Sequence, residues 1–146
     1  MLKGRTVVPI DLEMIESVLL VDDDQQIVKT LPGLLECAGY KVEVFRHSLD
    51  ALLVFFSTPS RFDLVILDES MEDLPGSALA RKLLNLRPDL PVILLAGSRG
   101  RDGKGAGPGM DTVGIGWSLT KPVAEAVLVE AVRYGLQQAR IWGVGK

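Results

Sequence analysis

The sequence predicts an α/β fold in which helices cover both faces of a five-stranded parallel sheet. Three observations support this prediction: short apolar runs of strand length recur along the chain, segments with helical apolar spacing lie between them, and Gly or Pro marks several boundaries. Regular alternation of strand and helix is typical of doubly wound sheets, whose strands are buried on both faces. The 146 residues are enough for one domain with a full hydrophobic core.

The first half of the chain provides three strands and two helices. The strand SVLLVD is followed by a helix over QQIVKTLPGLLECAG, whose apolar residues at helical spacing are Ile27, Leu31, Leu34 and Leu35. We expect this helix to end at Gly39, and Pro32 either to kink it or to lie in a looser first turn. The next elements are the strand KVEVF, a helix that begins near Ser48, and the strand DLVILD.

The second half repeats this pattern with one interruption. A helix over GSALARKLLNL precedes the strand PVILLAG, and a short strand near VGIGWSL and a helix from Pro122 to about Gln138 follow. Between the last two strands, residues 97–116 contain eight glycines and Pro108. Because glycine costs about 1 kcal/mol per helix position relative to alanine, we expect the fourth helix, between these strands, to be short or missing.

Composition limits the partners and the compartment. The net charge is −3 and no long basic run occurs, so we do not expect direct nucleic-acid binding. No apolar run approaches the roughly 20 residues of a membrane helix, and the single cysteine cannot form an intrachain disulfide. We expect a cytoplasmic protein without membrane contact, with an N-terminal extension or linker over 1–16, one domain over 17–138 and a C-terminal tail over 139–146.

Acidic residues and one lysine follow predicted strands, where ligands bind in open α/β sheets. The first strand runs into three aspartates, Asp22, Asp23 and Asp24. The third strand ends at Asp68, and Lys121 follows the last strand. If the first and third strands are neighbours, about 4.8 Å apart, Asp22, Asp23 and Asp68 converge on one small volume. Clustered carboxylates suit a hard divalent cation such as Mg²⁺, and a lysine supplies a compact cation for a phosphate that shares the metal.

Three separated motifs resemble those of the receiver domain of two-component response regulators: LLVDDDQQI, DLVILDESMEDLPG and LTKPV, in this order and spacing. The resemblance covers roughly residues 17–138. It implies a flavodoxin-like (CheY-like) sheet with strand order 2-1-3-4-5. It also implies a phosphoacceptor in a phosphorelay, a signalling protein rather than an enzyme, whose partner is a sensor histidine kinase or a phosphotransfer protein.

The resemblance assigns a role to each residue of the predicted site. Asp68 would accept the phosphoryl group from a phosphohistidine, and Lys121 would contact that group. Asp23 and Asp68, with the backbone carbonyl of Ser70, would bind Mg²⁺ directly, while Asp22 would hold a metal-bound water. The metal and the lysine then neutralise charge on the transferring group while a carboxylate acts as nucleophile. In this family the bond from the lysine to the following proline is usually cis.

Several positions depart from the family pattern. Ala96 replaces the Thr or Ser that usually ends the fourth strand, Ser118 stands at the usual aromatic switch position, and Glu72 replaces a usual proline. Trp117 adjoins the switch position but, by strand alternation, should point to the other face of the sheet. We therefore expect either phosphorylation without the usual switch, or a switch that works by ordering residues 97–116.

Two other functions stay open. A degenerate receiver that is never phosphorylated would act as a constitutive protein-binding module, which Ala96 and the glycine-rich segment favour. Alternatively, the aspartate run resembles the D-x-D motif of haloacid-dehalogenase-type phosphatases, with Asp22 as nucleophile and Asp24 as general acid. The complete set of aspartates and lysine argues against the first alternative, and the second does not explain Asp68.

The last helix carries more apolar residues than one buried face needs. The sheet-facing side can take Val123, Val127 and Leu128. The remaining apolar residues of the helix are Ala126, Val129 and Val132. Because a surface helix needs only one apolar face, the surplus predicts a contact surface for a partner or for a second copy in a homodimer. The alternative is chance breadth in a helix rich in small residues.

Overall fold

The computed structural model describes residues 15–97 and 116–144, with the backbone alone over 142–144. Within these ranges the strands and helices alternate in the predicted order. The five strands are β1 (Ser17–Val21), β2 (Lys41–Phe45), β3 (Leu64–Asp68), β4 (Val92–Ala96) and β5 (Gly116–Thr120). The helices are α1 (Gln25–Cys37), α2 (Ser48–Ser57), α3 (Gly76–Leu86) and α4 (Glu125–Val144).

The strands form one parallel sheet in the order β2-β1-β3-β4-β5, which confirms the predicted topology. Strand β1 lies between β2 and β3, and Val21 at its end is paired with Phe45 on one side and Leu67 on the other. The strand order reverses at β1, where ligands bind in sheets of this kind. The carboxyl ends of β1 and β3 are therefore neighbours, as the predicted site requires.

Two hydrophobic clusters lie on the two faces of the sheet. Helices α2 and α3 cover one face, where Phe55 and Leu83 are fully buried. Helices α1 and α4 cover the other face, where Leu35 and Leu128 are fully buried. Every residue of β3 and β4 is buried, which explains why the central strands are continuous apolar runs rather than alternating ones.

Helix α1 begins and ends at residues with clear local reasons. Its N-cap is Asp24, whose side chain accepts the N–H of Gln26 at 2.9 Å. Just beyond its C-terminus, Gly39 has a φ of 103°, a conformation that favours glycine because glycine has no Cβ. Pro32 lies inside the helix. The expectation that Pro32 could occupy a loose first turn is therefore wrong.

The bounds of α4 differ from the prediction. The helix begins after the expected Pro122, and it ends at Val144 rather than near Gln138. The residues from 139 to 144, expected as part of a tail, therefore continue the helix. An ion pair joins Arg140 in this extension to Glu16, the residue that precedes β1.

The buried face of α4 also differs from the prediction. Its buried apolar side chains are Leu128, Val132 and Leu136, which follow each other at four-residue intervals. Val127, expected to face the sheet, is 50% exposed, whereas Val132, expected to be left over, is fully buried. The physical reason is that neighbouring residues differ by about 100° around a helix, so apolar content alone does not define which stripe meets the strands.

The predicted short or missing fourth helix falls mainly on residues 98–115, which lie outside the described residues, as do residues 1–14 of the predicted N-terminal extension. The strands on either side of that segment are paired with each other. Gly116 at the start of β5 has a φ of 122°, and a Cβ there would lie 2.6 Å from the carbonyl oxygen of Val92. In the described part of the chain, no helix is long and apolar enough to cross a membrane.

Candidate functional site

The site lies at the carboxyl edge of the sheet, where three strands deliver the predicted residues. Asp22 follows β1, Asp68 is the last residue of β3, and Lys121 follows β5. The backbone N–H of Lys121 donates to the carbonyl oxygen of Ala96 at 2.7 Å, which holds the lysine backbone against the end of β4. The peptide bond between Lys121 and the following proline is cis, as the resemblance implies.

The ammonium group of Lys121 contacts both strand-end carboxylates. Its Nζ is 3.1 Å from Oδ2 of Asp22 and 3.3 Å from Oδ1 of Asp68, and 3.9 Å from Oδ2 of Asp24. Asp22 is fully buried and Asp68 nearly so. Removal of one partner from a buried ion pair leaves an uncompensated charge, at a cost of about 3–5 kcal/mol. The lysine is therefore the main positive charge that permits two carboxylates to lie side by side.

Burial and neighbouring charges shift the protonation of both groups. Burial, reinforced by the negative charge of Asp68, raises the pKa of Asp22 to about 6. The hydrogen bond from the Asp24 N–H and the positive charge of Lys121 lower this pKa, but they do not outweigh burial. Burial lowers the pKa of Lys121, but the charges of Asp22 and Asp68 outweigh it and raise that pKa above its ordinary value. Lys121 is therefore protonated at neutral pH, and Asp22 is a carboxylate that additional positive charge would stabilise.

Three carboxylates form a cluster that fits a divalent cation. Asp22, Asp23 and Asp68 each contribute an oxygen, and these oxygens lie within 4.8 Å of one another. The buried Oδ2 of Asp22 accepts no hydrogen bond from the described residues, although the Nζ of Lys121 lies 3.1 Å away and donates to Oδ1 instead. A set of hard oxygen donors with one unsatisfied buried atom suits Mg²⁺, which takes one or two carboxylates and retains waters.

The loop after β3 orients Asp68 and joins it to α3. The N–H of Ser70 donates to Oδ1 of Asp68 at 3.2 Å. The carboxylate of Glu69 accepts the N–H and the hydroxyl of Ser77, at 2.8 and 3.1 Å, in the first turn of α3. A Cβ on Gly76 would lie 2.6 Å from the carbonyl oxygen of Asp68. Helix α3 therefore packs directly against the backbone of Asp68, and only glycine fits at position 76.

Sequence reasoning missed Asp73, which connects this loop to α2. Its Oδ1 accepts the N–H of Ser48 at 3.2 Å, and its Oδ2 accepts the N–H of Leu49 at 3.0 Å. The hydroxyl of Ser48 donates to the carbonyl oxygen of Leu74 at 2.7 Å. His47, the N-cap residue of α2, supplies no capping bond. A helix start without a capping side chain of its own was the signal that a cap comes from elsewhere.

Of the positions that depart from the family pattern, Ala96 is in direct backbone contact with Lys121 of the site. Ala96 is buried at the end of β4, and its methyl group cannot donate a hydrogen bond. Trp117 packs in the hydrophobic cluster on the α1 and α4 face, as strand alternation predicts, so Ser118 points to the other face. The ring of Trp117 makes an edge contact with Tyr134, with centroids 5.7 Å apart. Glu72 is exposed.

Comparisons with known proteins point to one family. A family model described as the response regulator receiver domain matches residues 18–133. The transcriptional regulatory protein CreB of Escherichia coli (strain K12) is 42% identical over 81 residues, which cover 55% of this chain and 34% of CreB. The transcriptional regulatory protein GlrR of the same organism is 32% identical over 126 residues, which cover 83% of this chain and 26% of GlrR. The chain thus spans about a third or less of the length of these relatives.

A solved structure shows the same fold over most of the chain. The response regulator receiver domain protein from Clostridium thermocellum superposes with a TM-score of 0.77 at 25% sequence identity. The match covers 88% of this chain and 99% of that protein. The similarity therefore extends over nearly the whole length of that receiver domain protein.

Proposed function

The chain belongs to the family of response regulator receiver domains, and from this premise we propose that Asp68 accepts a phosphoryl group from a sensor histidine kinase or a phosphotransfer protein, with Mg²⁺ as cofactor. The observation that carries the proposal is the contact of one lysine with two buried carboxylates beside a third. In this arrangement Asp68 is the nucleophile, Lys121 the cation for the phosphoryl group, and Asp22 and Asp23 the metal-binding acids.

Asp68 makes the new bond in this mechanism. Lys121 and the N–H of Ser70 both contact Oδ1 of Asp68, and we assign the attack on phosphorus to Oδ2. As Oδ2 forms a bond to phosphorus, the P–N bond of the donor phosphohistidine breaks, and its electron pair leaves with the imidazole nitrogen. The product is an acyl phosphate on Asp68, and the donor supplies the free energy.

Lys121 changes partner during the transfer. Before it, the ammonium group balances the charges of Asp22 and Asp68. When Oδ2 of Asp68 is phosphorylated, the carboxylate loses its charge and the phosphoryl oxygens become the stronger anionic partner. The lysine is preorganised for them because it is already charged and held within 3.3 Å of the nucleophilic side chain.

Asp23 and Asp68, with the carbonyl oxygen of Ser70, would hold Mg²⁺, and Asp22 would hold it through a bound water. When bound, Mg²⁺ neutralises negative charge on the oxygens of the transferring group. The carboxylate cluster and the unsatisfied Oδ2 of Asp22 support this assignment.

We also propose that phosphorylation proceeds without the usual hydroxyl-driven switch, because Ala96 offers no hydroxyl at the end of β4. The alternative, a switch that orders residues 97–116, falls almost entirely outside the described residues. Unchanged amide exchange in that segment on phosphorylation would contradict the alternative.

The other two functions have weaker support. A degenerate, constitutive binding module is favoured by Ala96, but it leaves the complete acidic cluster and its lysine without a purpose. In the phosphatase hypothesis, Asp22 and Asp24 would face a substrate. However, Asp22 is fully buried and accepts the N–H of Asp24 at 2.9 Å, while Asp24 caps α1.

Intact mass with site mapping, after incubation with acetyl phosphate and Mg²⁺, tests the proposal. We expect a phosphoryl adduct on Asp68 that requires Mg²⁺ and is absent from Asp68→Asn. Asp50→Asn, a matched change at an exposed aspartate on α2, should leave the adduct unchanged. An adduct on Asp22 would support the phosphatase hypothesis. No adduct with acetyl phosphate or with candidate kinases would favour the degenerate module.

A further inference from the structure

Helix α2 exposes an apolar stripe on the side that faces away from the sheet. Leu49, Leu53 and Phe56 are 49%, 66% and 64% exposed, and their spacing of four and three residues places them on one side of the helix. Ala51 and Phe55, on the opposite side, are fully buried. This ten-residue helix is thus apolar on two sides, although packing on the sheet requires only one. An exposed apolar stripe of this kind is typical of an interaction surface.

The stripe borders a groove between α2 and α3, which lie on the same face of the sheet. The groove has a volume of about 400 Å³. Its apolar wall comes mainly from α2, and α3 contributes an amide, a lysine and one leucine. The lining residues are Leu52, Leu53, Phe56, Lys82, Asn85 and Leu86.

The shape of this surface favours a helix as the occupant. The groove runs between two helices, which present side-chain ridges but no free strand edge, so a β-strand could not add to it by backbone hydrogen bonds. The apolar stripe also continues along α2 beyond the groove to Leu49, which is not a lining residue. Such an elongated surface matches an amphipathic helix with apolar residues at i, i+3 or i+4, and i+7 better than a compact small molecule.

The charged residues around the groove indicate which kind of partner helix would bind there. Among the described residues, Lys82 is the only charged one that lines the groove, and its neighbour Arg81 is also exposed. Neither residue forms an ion pair within residues 15–97 and 116–144. The described residues that line the groove include no carboxylate, so these walls in a second copy would bring no acidic partner to Lys82. An acidic flank on the incoming helix supplies that partner.

We propose that the groove between α2 and α3 binds an acidic amphipathic helix of a partner protein. Its apolar residues cover Leu53 and Phe56, and a carboxylate on its flank pairs with Lys82. The groove is separate from the acidic cluster at the carboxyl edge of the sheet. The carboxylate of Asp73, which accepts the first N–H groups of α2, is the direct structural connection between this helix and the loop after Asp68. Binding requires no phosphorylation of Asp68.

The test uses synthetic amphipathic peptides of about 18 residues, long enough to form a helix on a protein surface. One carries leucines at helical spacing with a glutamate flank, a second has lysines in place of the glutamates, and a third is a scrambled form of the first. Fluorescence anisotropy measures their binding to the full chain, and amide chemical shifts locate the site. The variants are Leu53→Glu, Phe56→Glu and Lys82→Glu, with Lys29→Glu on α1, on the opposite face, as the control. All four positions are exposed, so the variants should fold.

We expect the acidic peptide to shift amides of α2 and α3 and to bind about tenfold more weakly to Leu53→Glu and Phe56→Glu. Lys82→Glu should weaken this peptide about three- to tenfold and strengthen the lysine peptide, because the charge preference is reversed. Asp68→Asn should bind each peptide with the same affinity as wild type, which would show that peptide binding does not depend on the phosphoacceptor residue. Equal binding of the scrambled peptide, shifts on another face, or self-association that Leu53→Glu abolishes would each overturn the proposal.

Discussion

Asp22 is the most constrained residue of the acidic cluster, because it is fully buried beside a second carboxylate. With all groups ionised, the negative charges of Asp22, Asp23 and Asp68, together with that of Asp24 at 3.9 Å from the ammonium group, outnumber the single positive charge of Lys121. The raised pKa of Asp22 reflects the burial of an incompletely compensated carboxylate, which is the condition that a bound cation would relieve.

Asp23 is the residue at which metal binding can be tested with least risk to the fold, because it is exposed. We expect Mg²⁺ to raise the thermal midpoint of the wild-type chain. At a hundredfold excess of Mg²⁺ over Kd, the free energy of unfolding should increase by about 2.7 kcal/mol. Asp23→Asn removes a proposed ligand, so most of this gain should disappear. Differential scanning fluorimetry across a Mg²⁺ titration measures the effect. Asp50→Asn should keep the full gain, and an equal gain in Asp23→Asn would contradict the assignment of this ligand.

Among the secondary-structure elements, the loop after β3 connects the end of this strand to two helices, α2 and α3. Glu69 caps α3 and Asp73 caps α2, while Gly76 lets α3 approach the carbonyl oxygen of Asp68. Glu69 and Asp73 therefore have structural partners at helix N-termini, where negative charge is favourable. A change in the loop would be transmitted to both helices on that face of the sheet.

The cap on α2 predicts a pH-dependent contribution to stability. Burial alone would raise the pKa of Asp73, but the N–H groups of Leu49 and Ser48 outweigh it and hold that pKa below its usual value. A lowered folded-state pKa stabilises the fold above the unfolded value of about 3.9, and this stabilisation is lost as pH falls through the folded pKa. We expect Asp73→Ala to cost about 0.5–1 kcal/mol near pH 7, because solvent screens an exposed cap.

Urea unfolding of wild type and Asp73→Ala at a series of pH values measures this contribution. The difference in free energy of unfolding should be constant near neutral pH and should shrink below about pH 4. Asp73→Asn keeps an acceptor oxygen without the charge, so its own stability relative to Asp73→Ala should vary little with pH. A difference between wild type and Asp73→Ala that persists unchanged in acid would show that the charged cap does not contribute.

At the scale of the whole molecule, the two faces of the sheet present different exposed surfaces. On the α2 side, the groove combines leucine and phenylalanine with one lysine, Lys82, which forms no ion pair with the described residues. On the other side, α4 exposes Val127, Tyr134 and Ile141, which are 50%, 50% and 65% exposed and lie seven residues apart. A seven-residue apolar spacing is typical of helix pairs. In an antiparallel pair centred on Tyr134, Val127 would lie opposite Ile141 of a second copy.

We propose that this α4 stripe is a surface for self-association. It lies on the helix for which a contact surface was predicted, but it consists of Val127, Tyr134 and Ile141 rather than of the predicted surplus residues, of which Val132 is buried. Sedimentation velocity should show a concentration-dependent dimer that Val127→Glu and Ile141→Glu both weaken, because each would place a charge in the seam. Leu53→Glu, on the opposite face, should leave the dimer intact. A wild-type chain that remains monomeric at the highest attainable concentration would contradict this proposal.

Most of the described elements could be predicted from the sequence because their signals are local. Strand-length apolar runs gave β1 to β4 to within a residue or two, and Gly39 marked the end of α1. The side of α4 that packs against the sheet could not be predicted in the same way. Val127 and Val132 are both apolar, and only contact with the strands decides which of them is buried. The cap from Asp73 was missed because it crosses from one loop to another.

The sequence by itself determined the order of the described elements and the residue types available to the site, because apolar spacing and strand-end carboxylates are properties of neighbouring residues. The tertiary structure decided which of these residues meet. Lys121 and Asp22 are 99 positions apart, and they are in contact only because β1, β3, β4 and β5 lie in one parallel sheet with their carboxyl ends at the same edge. Such contacts depend on strand order and helix rotation, which are set by packing of the whole core rather than by local preference.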